Sequence, residues 1–220
     1  MQDLGEIGEW RCDPPTLDVR RLLGVHKYKD LTKVRPVILK AAEKAIEIAR
    51  EVSVPCAVHT TAQIGAIDED GMLLSGGVRL NCAAFQNKLS MSYQILAFII
   101  TLGPELDTTV SDGFADGSDP LGPLFLDTAG WLMIEAVTRE FSKQQKRRYL
   151  EDGHQLSARM APGYDYPVLG STARAGWDLT DQSELFGLFR EQDLPVELLE
   201  SGGMIPRMSR SGIFGIRKAD

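Results

Sequence analysis

The most constraining feature of the sequence is one apolar run, Ile95-Leu96-Ala97-Phe98-Ile99-Ile100, closed by Thr101-Leu102-Gly103-Pro104. A run with no polar alternation cannot lie half-exposed. At this length, with Gly-Pro as punctuation, it reads as a strand over Gln94–Thr101 covered on both faces. It is far too short to cross a bilayer, which needs about twenty apolar residues. The acidic start, Met1-Gln2-Asp3-Leu4-Gly5-Glu6, has no apolar core of the signal-peptide kind. The expectation is a cytoplasmic protein with no membrane contact.

Around that strand the pattern alternates irregularly between helix and strand. Val34, Val37, Ile38, Ala41, Ala45 and Ile48 recur at helical spacing over Leu31–Val52, with Thr32 as a candidate cap and Pro36 suited to a first turn. Short strands are expected at Cys56–Thr61, Gln63–Asp68 and Met72–Leu74, then a helix at Ala83–Tyr93. After a loop at Asp112–Pro123, the longest helix is expected at about Leu124–Tyr149. It ends in Lys143, Lys146, Arg147 and Arg148, a sign of charge that favours a helix C-terminus. A helix at Asp181–Gln192 and strands at Val196–Glu200 and Ser211–Ile216 complete the series. Without a βαβ rhythm the chain reads as one α+β domain over 22–220, preceded by an arm over 1–21 that is extended or a short strand.

The net charge of −7 argues against a general nucleic-acid binder, because phosphate affinity rests on accumulated Lys and Arg. Cys12, Cys56 and Cys82 are odd in number and form no C-x-x-C pair, so a disulfide framework is excluded and idle thiols are expected. His26, His59 and His154 are widely separated. Leu169-Gly170-Ser171-Thr172 and Arg210-Ser211-Gly212 do not match a nucleophile elbow, and no phosphate-cradling Gly motif occurs. Paired carboxylates such as Asp68/Asp70 and Glu184/Glu191 are explained by solvation. Nothing reads as an autonomous hydrolase.

The informative segment is Arg159-Met160-Ala161-Pro162-Gly163-Tyr164. A guanidinium beside a stiff Pro-Gly bend offers a fork for a carboxylate, with bare backbone N–H and C=O groups next to it. Gly163 removes a Cβ from the path of a ligand, and Tyr164 adds a flat amphipathic face. An internal clamp on a structural carboxylate is the other reading of the same residues.

Arg159-x-x-Pro-Gly-Tyr, the following Pro167, Leu185-Phe186, Leu199-Glu200-Ser201-Gly202-Gly203-Met204-Ile205-Pro206-Arg207-x-Ser209 and Gly212-Ile213-x-Gly215-Ile216 occur in this order. Together they resemble the activation, S-adenosylmethionine-binding domain of cobalamin-dependent methionine synthase. Leu102-Gly103-Pro104-Glu105-Leu106-Asp107 and Leu126-Asp127-x-Ala129-Gly130 are similar to its free-standing short forms. The resemblance spans about Leu22 to Ile216.

It implies a C-shaped α+β domain with a twisted antiparallel sheet flanked by helices, and a shallow groove for S-adenosylmethionine. Arg159 would hold the ligand's carboxylate, and the backbone at Ala161 and Gly163 the adenosine. Tyr164 would lie between nucleoside and corrin, with Tyr166 also facing the corrinoid. The activity implied is a methyltransferase component acting in trans, which supports reductive remethylation of cob(II)alamin. Cobalamin would arrive on a partner, since no Asp-x-His-x-x-Gly signature occurs, and a flavodoxin-type or iron–sulfur donor would supply the electron. The alternative is a reactivation partner, or a non-catalytic adaptor, for a corrinoid protein of an anaerobic methyl-transfer pathway.

Two departures from the family pattern stand out. Where the large enzymes carry acidic contacts, this chain has Trp131 and Glu135, so Glu135 either binds the ligand's amino group or is a surface residue. The sequence also stops at Asp220 without the aromatic-rich tail that the resemblance would supply, so the expectation is either weaker binding or binding that the partner's corrinoid domain completes.

Overall fold

The computed structural model of the chain describes residues 4–168, 172, 174–190 and 193–219. The apolar run becomes the expected strand: β5, Gln94–Thr101, in the middle of a seven-stranded antiparallel sheet. In chain order the elements before it are β1 (Gly8–Arg11), α1 (Val19–Val25), α2 (Pro36–Val52), β2 (Cys56–Ile67), β3 (Met72–Leu74), β4 (Arg79–Leu80) and α3 (Phe85–Lys88). After it come α4 (Glu105–Asp116), α5 (Leu121–Glu151), β6 (His154–Leu156), β7 (Asp165–Pro167), β8 (Arg174–Gly176), α6 (Gln182–Gly187), β9 (Glu197–Leu198), β10 (Met204–Ile205) and β11 (Ser209–Lys218).

The main sheet runs β4-β3-β2-β5-β11-β6, with β1 on the other end of the β2 edge that carries β3. β5 pairs residue for residue with β2 on one side and with β11 on the other. Because side chains alternate across a strand, β5 feeds two cores at once. Leu96, Phe98 and Ile100 join α1, α2, α4 and α5 on one face. Ile95, Ala97 and Ile99 join Phe85, Trp177, Leu185, Phe186 and Phe189 on the other. All six residues of the run are fully buried. Phe98 stacks on Phe214 at 5.4 Å and meets Phe141 at 5.2 Å, tying β5 to β11 and to α5.

Several boundaries differ from the sequence reading, each for a local reason. β2 is one strand rather than two; the break expected near Ala62 is a register shift between Ile64 and Ala66 that the sheet absorbs as a bulge. Thr32 does not cap α2. It lies in a 3₁₀ turn capped by Asp30, and α2 starts at Pro36 with no side-chain cap. The helix expected at Ala83–Tyr93 shrinks to α3, since the chain must return for Tyr93 N–H to bond the Ile216 carbonyl. α4 runs past Asp112 to Asp116 and stops at the left-handed Gly117. α5 starts earlier than expected because Pro123 fits its first turn. The helix expected at Asp181–Gln192 is only Gln182–Gly187; Gln192, like Leu169, Gly170, Ser171 and Glu191, lies outside the described residues.

The arm belongs to the sheet: β1 pairs with Cys56–His59, and Trp10 meets Phe141 edge-on and donates Nε1–H to Gln144 at 2.7 Å. Cys12, Cys56 and Cys82 are free thiols. Among the described residues no helix is long and apolar enough to cross a membrane.

The double role of β5 gives a direct stability expectation. Phe98→Ala opens a cavity where three rings meet and should cost about 3–5 kcal/mol. Urea unfolding should show the midpoint falling with the m-value unchanged.

Candidate functional site

The site originates where β11 loses a neighbour. On its outer side β11 is paired by β6 only at Ile216–Lys218, then by the Ser157 N–H to the Gly215 carbonyl (2.9 Å). Met160 and Ile213 then exchange both backbone hydrogen bonds, at 2.9 and 2.7 Å. This close approach needs Gly212, where an added Cβ would stand 2.5 Å from the Met160 carbonyl oxygen. Beyond Met160, Pro162 and Gly163 turn the chain away from the strand. Gly163 sits at φ +83°, a conformation that disfavours side chains. The turn leaves Ser209, Arg210 and Ser211 along one wall of a groove of about 320 Å³. Arg159, Ala161 and Tyr164 line the same groove, as do Trp131 and Ile134 of α5, Leu179 and Gly202.

The sequence-derived residues do not all meet in the groove. Arg159, Ala161 and Tyr164 line the groove together, and the Arg159 guanidinium lies 5.7 Å from the Tyr164 ring centre. Gly163 shapes the turn between them. Tyr166 is elsewhere: it is half-buried against the second core, and its hydroxyl accepts from the Ala161 N–H (2.6 Å) and donates to the Ala161 carbonyl (3.0 Å). Burial is the main cause that pushes the Tyr166 phenol above its ordinary pKa. Glu135, one turn along α5 from Trp131, is outside the groove lining and accepts from Arg21 at 3.0 Å and Arg139 at 3.3 Å.

The backbone of the bend is not bare, which corrects the sequence reading. Ala161 N–H is bonded to Tyr166, Gly163 N–H to the Trp177 carbonyl (2.7 Å), and the Tyr164 carbonyl accepts from Trp177 N–H (2.9 Å). Trp177 is in turn fixed by Asp181, a buried carboxylate that accepts from its Nε1 (3.0 Å) and from the backbone and side-chain N–H groups of Asn81. Asp181 was read from sequence only as a helix start. Its role as a buried acceptor is set by Asn81, a hundred residues earlier, and no local signal marks it.

The remaining polar groups in the groove are unequal in availability. Ser211 donates to Gln182 (2.8 Å), while the Ser209 hydroxyl bonds Thr101 (2.9 Å) and the Pro206 carbonyl (2.6 Å). Arg207 pairs with Asp127 at 3.0 Å and approaches Asp107 at 3.8 Å. Arg159 and Arg210 have no ion-pair partner among the described residues. Among the described residues the lining contains three guanidinium groups and no carboxylate. Trp131, Tyr164 and Leu179 are each about half-exposed, giving the groove an apolar and partly aromatic rim. Chemically the arrangement suits a ligand with an anionic end and a flat ring system.

Tyr166→Phe removes both bonds to Ala161 and leaves that amide unsatisfied. It should lower stability by about 1–2 kcal/mol. Hydrogen exchange should show protection lost at Ala161 first, with β5 unchanged.

Comparison with known proteins supports the architecture. No family model matches the chain, and no curated protein matches it in sequence. A solved structure, the MetH reactivation domain bound to AdoHcy, superposes with a TM-score of 0.68 over 96% of this chain and 78% of that one, at 17% sequence identity. The chain therefore has the mixed fold of that domain, a twisted antiparallel sheet flanked by helices.

Proposed function

We propose that this chain binds S-adenosylmethionine in the groove between β11 and the Arg159–Tyr164 bend, and acts in trans to reactivate a cobalamin-carrying methionine synthase. The observation that carries the reading is the groove itself. An arginine with no ion-pair partner among the described residues stands beside a Pro-Gly bend, on a fold like that of a domain whose structure was determined with AdoHcy. Arg159 would take the carboxylate of the methionine part in a charge-assisted fork. Tyr164 would stack on the nucleoside, and Trp131 and Leu179 would close the apolar rim toward the partner. Tyr166 would set the bend from behind through Ala161 rather than face the corrinoid. Glu135, held by two arginines, would reach the ligand's amino group only by giving up one of them.

The residues fit a methyl donor presented to another protein's cofactor. The groove is shallow, its rim is apolar, and none of its lining residues is needed as an acid or a base. Bound on the partner, cobalamin would supply the cobalt that is reduced by one electron and then takes the methyl group. A flavodoxin-type or iron–sulfur protein would be the electron source. This chain's contribution is positioning: it holds the sulfonium methyl outward, toward the partner's cofactor.

A second reading has its own observation. Both bend amides suited to reading adenine, Ala161 N–H and Gly163 N–H, are already bonded within the chain. A domain that kept the fold and docks on a corrinoid protein of an anaerobic methyl-transfer pathway, without the nucleoside, would leave them so. Calorimetric titration separates the two. The first reading expects heat on adding S-adenosylmethionine, with affinity about 10–100-fold lower in Arg159→Ala. No heat, with or without a cobalamin-carrying partner present, leaves the adaptor.

A further inference from the structure

Arg210 is the groove residue for which the structure gives no internal explanation. On β11 it stands on the same face as Phe214 and Ile216, the face that packs against α5, and so points to the side of the groove that Trp131 and Ile134 occupy. It is partly buried and lies close enough to Arg159 for the two cations to repel. Burial first, and then the Arg159 charge, hold its pKa below the ordinary guanidinium range; Tyr164 and Glu135 oppose that. A partly desolvated cation beside a second cation is costly unless an anion lies between them.

The acids within reach are committed elsewhere. Asp107 and Asp127 serve Arg207. Glu135 serves Arg21 and Arg139. The hydroxyls flanking Arg210 on the strand, Ser209 and Ser211, are bonded to Thr101, Pro206 and Gln182. Among the described residues, then, two guanidinium groups line one groove and neither has an ion-pair partner.

We propose that Arg159 and Arg210 form a two-guanidinium seat that holds the ligand's anionic group between them. Arg210 is then a second binding residue, which selects for nucleosides carrying an amino-acid carboxylate. The identity of that ligand rests on the function proposed above; the seat does not. Two planar forks can each donate two N–H groups to the same carboxylate, which fixes its position more tightly than one arginine can.

Three probes test this on Arg210→Gln, with Arg210→Lys as a charge-keeping control. They are AdoHcy, methylthioadenosine (the same nucleoside without the carboxylate) and inorganic pyrophosphate. Arg210→Gln should weaken AdoHcy by about tenfold or more. Methylthioadenosine should stay within about twofold of wild type, and Arg210→Lys should recover part of the AdoHcy loss. An unchanged AdoHcy affinity overturns the seat, as does equal weakening of both nucleosides. If the wild type binds neither nucleoside, the nucleoside reading fails and pyrophosphate decides the seat alone. Pyrophosphate binding that is lost in Arg210→Gln keeps it; absent or unaltered binding ends it. Near-UV circular dichroism of each variant confirms that the fold is retained.

Discussion

The groove exists because β11 is paired for eight residues on its β5 side but only in part on the other. The exchange of hydrogen bonds between Met160 and Ile213 is the last tie on that open side before the chain turns away. The groove residues flank that tie: Arg159 just before it, the Pro-Gly bend and Tyr164 just after it, and Ser209–Ser211 along β11. A sheet that stayed fully paired there would have no space for a ligand. The bend itself is held from within the chain: Tyr166 bonds Ala161, Trp177 bonds Gly163 and Tyr164, and Asp181 fixes Trp177.

That arrangement accounts for an unusual division of labour among polar groups. Buried acceptors such as Asp181 and Gln182 are satisfied inside the protein and hold the walls in place. The guanidinium groups of Arg159 and Arg210 are left to the groove. Stiff walls and unmatched cations together favour a ligand that brings its own anion, and preorganisation lowers the entropic cost of binding it.

Some of this was legible in the sequence. β5 could be delimited to the residue, because an unbroken apolar run next to Gly-Pro admits few alternatives. α5 was visible because its apolar half and its cationic end agree. Arg159, Ala161 and Tyr164 were found as a group because the bend that joins them is local. Other features depend on distant pairings. β2 reads as two pieces since a bulge and a true break share the same local signature. Arg210 carries no local signal: in Arg210-Ser211-Gly212 it is an ordinary strand residue until β11 comes to lie beside Arg159. The bonds of Tyr166 to Ala161 carry no local signal either, because they depend on how the Pro-Gly bend folds back over the strand that follows it.

The central claim is that the space between β11 and the bend is a nucleoside site, and a crystal structure of the chain grown with AdoHcy tests it most directly. The account expects the carboxylate at Arg159 and the nucleoside along the Ala161–Tyr164 wall. Ligand density at any other surface, or a bend closed against Ser209–Ser211 with Arg159 turned onto a carboxylate of the protein, would contradict it.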